Sequence, residues 1–266
     1  MKLNTGNCQI NIERCGNSSG PVVMMAHSLG CNLRMWDPQM TALELDFDIV
    51  RLDMRGHGLS DAPAGSYTLE DLADDVIAVM EQLQIEQAHW VGLSIGGMIG
   101  QSLLLRYPSR FLSAVLCDTM SELPDGAMSI WQERIKKVET DGLSSIKQAT
   151  LTRWFTSAFL EAGGPGLSEV ADQLDVTTDA GYVACCHAIS GLNYTDQLSS
   201  IDTNTLLIVG AEDVATPVSS SKTMHELLPN SQLVIIDNAS HISNVEQVDA
   251  FNSAMVPFLH SAAGIG

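Results

Sequence analysis

The run Gly92-Leu93-Ser94-Ile95-Gly96-Gly97 has the residue types and the spacing for covalent catalysis. It directly follows the apolar run Ala88-His89-Trp90-Val91. It directly precedes Ile95–Tyr107, a segment that is apolar or small almost all round and is stopped by Pro108. Glycines on either side of a serine allow a tight strand-to-helix turn. The serine then stands at the apex, at the helix N-terminus, where free backbone N–H groups face any oxyanion formed beside it. Ser94 is the expected nucleophile, and acyl transfer is the chemistry it would do.

A serine needs a base. Seven histidines lie at 27, 57, 89, 187, 225, 241 and 260. His241 combines a late position with a loop that follows a strand, in Asp237-Asn238-Ala239-Ser240-His241. His89 lies inside a strand, His225 on a helix and His260 in a tail expected to fray. A nucleophile on an early strand expects the chain order serine, acid, histidine. Asp213 meets that order, in the loop after the strand-like Thr205–Val209. Asp118 also ends a strand, and Glu212 is a third candidate. Chain order favours Asp213 and leaves Asp118 open. Two N–H donors must hold the oxyanion. Ile95, next to the serine, is expected to supply one. Leu29, in the turn His27-Ser28-Leu29-Gly30 after Val22–Ala26, is expected to supply the other.

These residues converge only if a sheet brings the ends of distant strands together. Short apolar runs at 22–26, 47–52, 88–92, 112–117, 205–209 and 232–236 are bounded by turn residues, as suits strands buried on both faces. Between them lie helical stripes. Leu69–Leu83 has apolar residues at 69, 72, 73, 76, 77, 79, 80 and 83, with Thr68 as N-cap, and Val245–Leu259 closes the chain. Strands alternating with helices predict right-handed βαβ units. The expected fold class is therefore α/β, a mostly parallel central sheet flanked by helices. Residues 121–200 break the rhythm. They offer helix-like pieces at Met128–Glu139, Ser144–Phe155 and Thr178–Ser190, separated by Gly163-Gly164-Pro165-Gly166. We read 1–120 together with 201–266 as a core domain, and 121–200 as a helical cap inserted in it, because the strands after the insertion are needed to complete one sheet.

The 266 residues include 13 Lys and Arg against 32 Asp and Glu, a formal charge of −19. With 45% apolar residues the chain can bury a large core, which excludes an acidic disordered polymer. The charge argues against nucleic acid and anionic membrane surfaces as partners, since both call for a basic patch. No apolar run approaches the ~18 residues of a membrane span, and the first residues hold no stretch of the signal-peptide kind. The expected location is the cytoplasm. Six cysteines, at 8, 15, 31, 117, 185 and 186, fit buried thiols in a reducing compartment. A Cys8–Cys15 bridge across an N-terminal hairpin is the alternative. No metal-ligand spacing is present and no cofactor is called for. The expected partner is a small ester or lactone, and a homo-oligomer is compatible with the chain.

Taken together these residues resemble the α/β-hydrolase superfamily over nearly the whole chain, and more narrowly the 3-oxoadipate enol-lactonases. The stretches that carry the resemblance are His27-Ser28-Leu29-Gly30 with Leu33-Arg34-Met35-Trp36-Asp37-Pro38-Gln39, then Asp53-Met54-Arg55-Gly56-His57-Gly58, and the Ser94 turn. Further along come Arg153-Trp154-Phe155-Thr156, Tyr182–Ile189 and Ala239–Gln247. The resemblance implies Ser94 as nucleophile, His241 as base, Asp213 as acid and a structural His57. It also implies an enol-lactone whose opened enol relaxes to a ketone. Asp118 stands where that family tends to carry Asn.

Trp36, Trp131, Trp154, Met98 and Met120 are candidates for an apolar pocket wall. A substrate carboxylate would want a cation, and Arg34, Arg134, Lys137 and Arg153 are the options, with Arg134 favoured for its place on a cap helix. Two other functions fit the same residues. One is a broad carboxylesterase for neutral short-chain esters, which the acidic surface favours by slowing anions. The other is a non-catalytic ligand receptor on a hydrolase fold, which a complete set of Ser, His and Asp argues against.

Overall fold

The computed structural model describes residues 1–265. Among them the chain opens with β1 (Lys2–Asn4) and β2 (Gln9–Gly16). Next come β3 (Val22–Ala26), α1 (Asp37–Leu43), β4 (Asp48–Leu52), α2 (Leu69–Gln82), β5 (Ala88–Leu93), α3 (Ile95–Arg106) and β6 (Phe111–Cys117). A helical stretch follows: α4 (Ala127–Asp141), α5 (Lys147–Trp154), α6 (Ser157–Ala162), α7 (Pro165–Val176) and α8 (Asp179–Ser190). Alternation then resumes with β7 (Asn204–Gly210), α9 (Val218–Leu227) and β8 (Ser231–Ile236), and α10 (Ser243–Glu246) and α11 (Val248–Ala263) close the chain.

The strands form one sheet in the order β1-β2-β4-β3-β5-β6-β7-β8. β1 and β2 pair antiparallel with their neighbours, and β3 to β8 are parallel. The first two strands lie outside the apolar runs, because an antiparallel strand with one wet face, like Gln9–Gly16, alternates rather than running continuously apolar. The chain steps from β3 outward to β4, then returns to the other side of β3 with β5. The switch point of the sheet therefore lies between β3 and β5, and the crevice at their C-terminal ends is where such a sheet holds a ligand.

Helices cover both faces. On one, Leu69, Leu72, Val76 and Met80 of α2 pack with Ile99 and Leu103 of α3. On the other, Leu43 of α1 packs with Phe251, Met255 and Leu259 of α11. Thr68 caps α2 as its sequence suggests: its Oγ1 accepts the Asp71 N–H at 3.0 Å while the Asp71 carboxylate accepts the Thr68 N–H at 2.9 Å. The helices between β6 and β7 join the same two cores. Ile135 and Val138 of α4 and Tyr182 to Ile189 of α8 extend the first, and Leu151, Trp154, Val170 and Leu174 of α5 and α7 extend the second.

Several expectations are corrected. The Gly163–Gly166 separator is the start of a helix, since Gly164 is the N-cap of α7 and Pro165 its first residue, where a missing N–H costs nothing. The closing helix breaks at Gln247, whose φ −130° and ψ 63° are not helical, so that α10 and α11 are separate. His260 belongs to α11 rather than to a frayed tail; it stacks on Phe47 and bonds Asp46 at 3.1 Å. Cys8 lies just before β2 and Cys15 near its far end, roughly 23 Å apart along extended chain, so no bridge joins them and all six cysteines are free. No helix among the described residues is long and apolar enough to cross a membrane.

Candidate active site

Ser94 leaves β5 and enters α3 with φ 58° and ψ −116°, a conformation that L-residues avoid. The flanking glycines make it affordable. A Cβ on Gly92 would lie 2.1 Å from the Gly96 carbonyl oxygen, and one on Gly96 would lie 2.4 Å from the Ala26 carbonyl oxygen. The turn is thus wedged against the end of β3. The Ser94 N–H donates to Cys117 O at 2.8 Å, and Thr119 Oγ1 donates to Ser94 O at 2.8 Å.

The three residues singled out for chemistry, from positions 94, 213 and 241, form one hydrogen-bonded line. Ser94 Oγ is 3.0 Å from His241 Nε2, and His241 Nδ1 is 2.9 Å from Asp213 Oδ2. All three are buried. Asp213 Oδ1 accepts the Ala215 and Thr216 N–H groups at 2.7 and 2.9 Å, and Oδ2 accepts Thr216 Oγ1 at 2.6 Å. Burial opposes the charge on Asp213, but the His241 imidazole and the Thr216 donors outweigh it and hold the carboxyl below the usual range. With Nδ1 committed to a carboxylate, Nε2 faces the Ser94 hydroxyl, the geometry a base would need.

The open question of the acid has a geometric answer. Asp118 faces away from the imidazole: its Oδ1 accepts the Gly210 N–H at 2.8 Å and its Oδ2 bonds Ser243 Oγ. The Glu212 carboxyl takes no part in the line either; its backbone N–H donates to Ala239 O, bracing the two loops.

Leu29 lies in the turn after β3 and lines the same cavity as Ser94, and Ile95 directly follows Ser94, so the two expected N–H donors come from the two strands flanking the switch point. Ile95 is the first residue of α3, and its N–H has no acceptor within the helix. The Leu29 turn is held by two neutral imidazoles. His57 Nε2 accepts the Gly30 N–H at 2.9 Å, and His27 Nε2 accepts the Met54 N–H at 3.1 Å. Burial lowers His27 to about 4; burial and the adjacent His27 lower His57 to about 3. Both therefore stay neutral and able to accept.

Ser94 and His241 open into a cavity of about 240 Å³. Met98, Met120, Leu123, Trp131, Trp154 and Ile189 supply apolar wall. Trp154 lies with its ring centre 6.3 Å from that of His241. Two cations reach the same space. Arg134 lies over the Trp131 ring at 5.3 Å and donates to Tyr182 Oη at 3.1 Å. Arg153 is half-buried beside it, and burial and the neighbouring Arg134 charge lower its pKa below the ordinary guanidinium value. No carboxylate lies in ion-pair contact with either among the described residues. The other two candidate cations are engaged elsewhere, Arg34 with Asp37 and Glu169 and Lys137 with Asp141.

Trp36 is corrected. It is fully buried against Phe251, its ring centre 6.2 Å away, and does not line the cavity. Its place after a turn near the site suggested a wall, but the 3₁₀ turn 33–36 directs it under the sheet. Three contributors went unassigned: Thr216, Tyr182 and Glu246. Glu246 joins the His241 loop to the helical insertion, accepting the Ser240 N–H at 2.8 Å and the Thr156 N–H at 3.0 Å. Its place in the Ala239–Gln247 stretch that carries the family resemblance is the only signal in the sequence.

Comparison with known proteins fits this geometry. The α/β-hydrolase fold family matches residues 21–248. The chain belongs to the α/β-hydrolase family. It is 36% identical over 246 residues to 3-oxoadipate enol-lactonase 2 of Acinetobacter baylyi, covering 92% of this chain and 91% of that one. The enol-lactonase structure from Burkholderia xenovorans LB400 superposes with a TM-score of 0.94 at 32% identity, covering 97% and 99% of the two chains. A hydrolase structure from Pseudomonas aeruginosa gives a TM-score of 0.94 at 34% identity, with 97% of each chain covered. This α/β hydrolase is thus similar to enol-lactonases over 92% or more of its length.

Proposed function

We infer that this hydrolase opens a carboxylic ester or lactone through an acyl-enzyme on Ser94, and that its substrate is an enol-lactone bearing a carboxylate, as 3-oxoadipate enol-lactone does. The observation that carries the reading is the Ser94–His241–Asp213 line facing two arginines that lack an acidic partner. In a chain with 32 carboxylate side chains, two such cations in one half-buried cavity are best accounted for by an anionic ligand.

The chemistry follows from the contacts. Ser94 Oγ attacks the lactone carbonyl as its proton passes to His241 Nε2. The Leu29 and Ile95 N–H groups hold the oxyanion. The ring C–O bond then breaks, and His241 returns the proton to the departing enol oxygen, which tautomerises to a ketone. Water, deprotonated by His241, attacks the acyl carbon and releases a second carboxylate together with Ser94. Asp213 fixes the tautomer and stabilises the transient imidazolium. Arg134 and Arg153 bind the carboxylate that does not react.

A second reading, a general carboxylesterase for short neutral esters, is favoured by the apolar walls and by the net charge of −19, which slows the approach of anions. A panel of enol-lactone, p-nitrophenyl acetate and p-nitrophenyl butyrate separates the two. The lactonase reading expects kcat/KM for the carboxylate-bearing lactone to exceed that for either ester by about 100-fold or more, a gap of ~2.7 kcal/mol in transition-state binding. Equal values, or a preference for butyrate, would transfer the assignment to the esterase.

A further inference from the structure

Asp118 is buried, carries a carboxyl, and takes no part in the proton transfers above. Its surroundings give it a different task. The three residues 117–119 at the C-terminal end of β6 touch the loops of all three members of the catalytic line. Cys117 O accepts the Ser94 N–H, and Thr119 Oγ1 donates to Ser94 O, both at 2.8 Å. Between them, Asp118 donates its own N–H to Ile208 O at 2.8 Å. Its carboxyl accepts the Gly210 N–H at 2.8 Å and bonds Ser243 Oγ. Gly210 ends β7, just before the loop that carries Asp213, and Ser243 lies two residues after His241. One side chain thus bridges the acid loop and the base loop, and its backbone neighbours hold the nucleophile turn.

The bridge sits where tolerance is smallest. A Cβ on Gly210 would come 2.2 Å from Ser240 O and 2.5 Å from Ala239 O, so the two loops are in direct backbone contact. Asp118 itself has φ 44°, a left-handed conformation that a non-glycine residue holds only at a cost. The contacts on both sides of its carboxyl keep it there.

We propose that Asp118 is a positioning residue, which clamps the Gly210 backbone and the Ser243 hydroxyl so that Asp213, His241 and Ser94 remain in register. The proposal rests on the reading of those three as the catalytic set. Burial and the neighbouring Asp213 charge push the Asp118 carboxyl well above the usual range, so a neutral group serves as well as an ionised one. An amide keeps the shape, an acceptor for Gly210 and a hydrogen-bonding group for Ser243.

The test compares Asp118→Asn, Asp118→Ala, Ser243→Ala and Ser94→Ala with the parent enzyme. kcat and KM are read on p-nitrophenyl butyrate, and the rate of Ser94 labelling by a serine-reactive phosphonate is read alongside. Asp118→Ala is expected to lose about 10- to 100-fold in kcat, and to slow labelling in parallel, with KM within about twofold, since a displacement near 1 Å misaligns the transfer without emptying the pocket. Asp118→Asn is expected to restore kcat to within about threefold of the parent. Ser243→Ala, which cuts one arm of the clamp from the other side, is expected to lose about 3- to 10-fold in kcat and decides the matter should Asp118→Ala not fold. Parental kcat and labelling in both alanine variants would overturn the proposal, as would an Asn variant no better than Ala. Ser94→Ala separates the two levels: turnover surviving in it sinks the catalytic set, whereas an inert Ser94→Ala beside fully active alanine variants sinks only the role of Asp118.

Discussion

The loops at the C-terminal edge of the sheet and the helices between β6 and β7 face one cavity but are built on opposite terms. In the loops nearly every polar group has a partner at fixed distance. Asp213 takes three donors besides His241, His57 takes the Gly30 N–H, and glycines stand where a methyl group would collide with backbone. In the helices the cavity is walled by Trp131, Trp154, Ile189 and two arginines without acidic partners. The first region is complete without a ligand; the second is incomplete. A preorganised polar site costs no rearrangement when charge develops, so it serves any ester carbonyl placed in it. Unpaired cations and apolar wall instead select what is placed. The difference assigns rate to the loops and choice of substrate to the helices, and each assignment can be broken.

The largest effect is expected at Asp213, the acid of the proposed mechanism. Asp213→Asn keeps the shape but removes the charge facing His241 Nδ1 and allows the wrong tautomer. kcat should fall about 10⁴-fold, and by the same factor for a carboxylate-bearing lactone and for p-nitrophenyl acetate. Unequal losses on the two substrates would mean that this loop also selects, and the division between the regions would fail.

The next effect belongs to the helices. Arg134→Gln with Arg153→Gln should raise KM for the carboxylate-bearing lactone about 10- to 100-fold, the loss of one or two charge-assisted contacts in a half-buried site. kcat/KM for p-nitrophenyl acetate should not fall. An unchanged lactone KM would leave the two cations without a ligand and would favour the esterase reading.

A smaller effect, on stability rather than turnover, tests how rigid the loops are. His27 and His57 remain neutral in the fold down to about 4 and 3, whereas in the unfolded chain each takes a proton near 6.5. A depressed folded value means that the stability is fully present above about 6.5 and is lost as pH falls toward 4 and then 3. Tm should therefore drop steadily below pH 6. His57→Gln, which can still accept the Gly30 N–H, should show a shallower acid slope in calorimetric scans. An identical slope would show that the Leu29 turn is not what acid loosens.

The loops were also the more legible region. Gly92-x-Ser94-x-Gly96 between a strand and a helix is a local pattern with a steric reason, and His241 and Asp213 follow from chain order along a parallel sheet. Chain order favours Asp213 but leaves Asp118 open, because both follow strands; the coordinates show that one carboxyl faces the imidazole while the other faces Gly210 and Ser243. The helical region was readable as helix, from α4 and α8, but α6 and α7 were not, since their Gly- and Pro-rich surroundings are equally those of a loop. Which cation enters a cavity depends on how helices dock, and spacing at i, i+3 placed Arg134 and Lys137 on one face although only Arg134 arrives. Strands β1 and β2 stayed hidden because antiparallel strands with a wet face lack the continuous apolar run.

Trp36 carries the smallest expected effect and the sharpest placement of the boundary between core and pocket. A tryptophan in the stretch that follows the oxyanion turn invites assignment to the substrate wall, yet its indole is enclosed by Phe251 and the other side chains beneath the sheet, and its Nε1 has no acceptor among the described residues. Trp36→Phe removes apolar contacts, which destabilises, and also removes a buried N–H without a partner, which offsets part of that loss. The net change in Tm should be no more than about 5 °C. KM for lactone and ester alike should stay as in the parent, because no atom of Trp36 reaches the cavity. Trp154→Phe is the matched control: it faces His241 across 6.3 Å and lines the cavity, so its loss should register in KM. A KM shift in Trp36→Phe as large as that in Trp154→Phe would extend the pocket below the sheet edge and would redraw which residues choose the substrate.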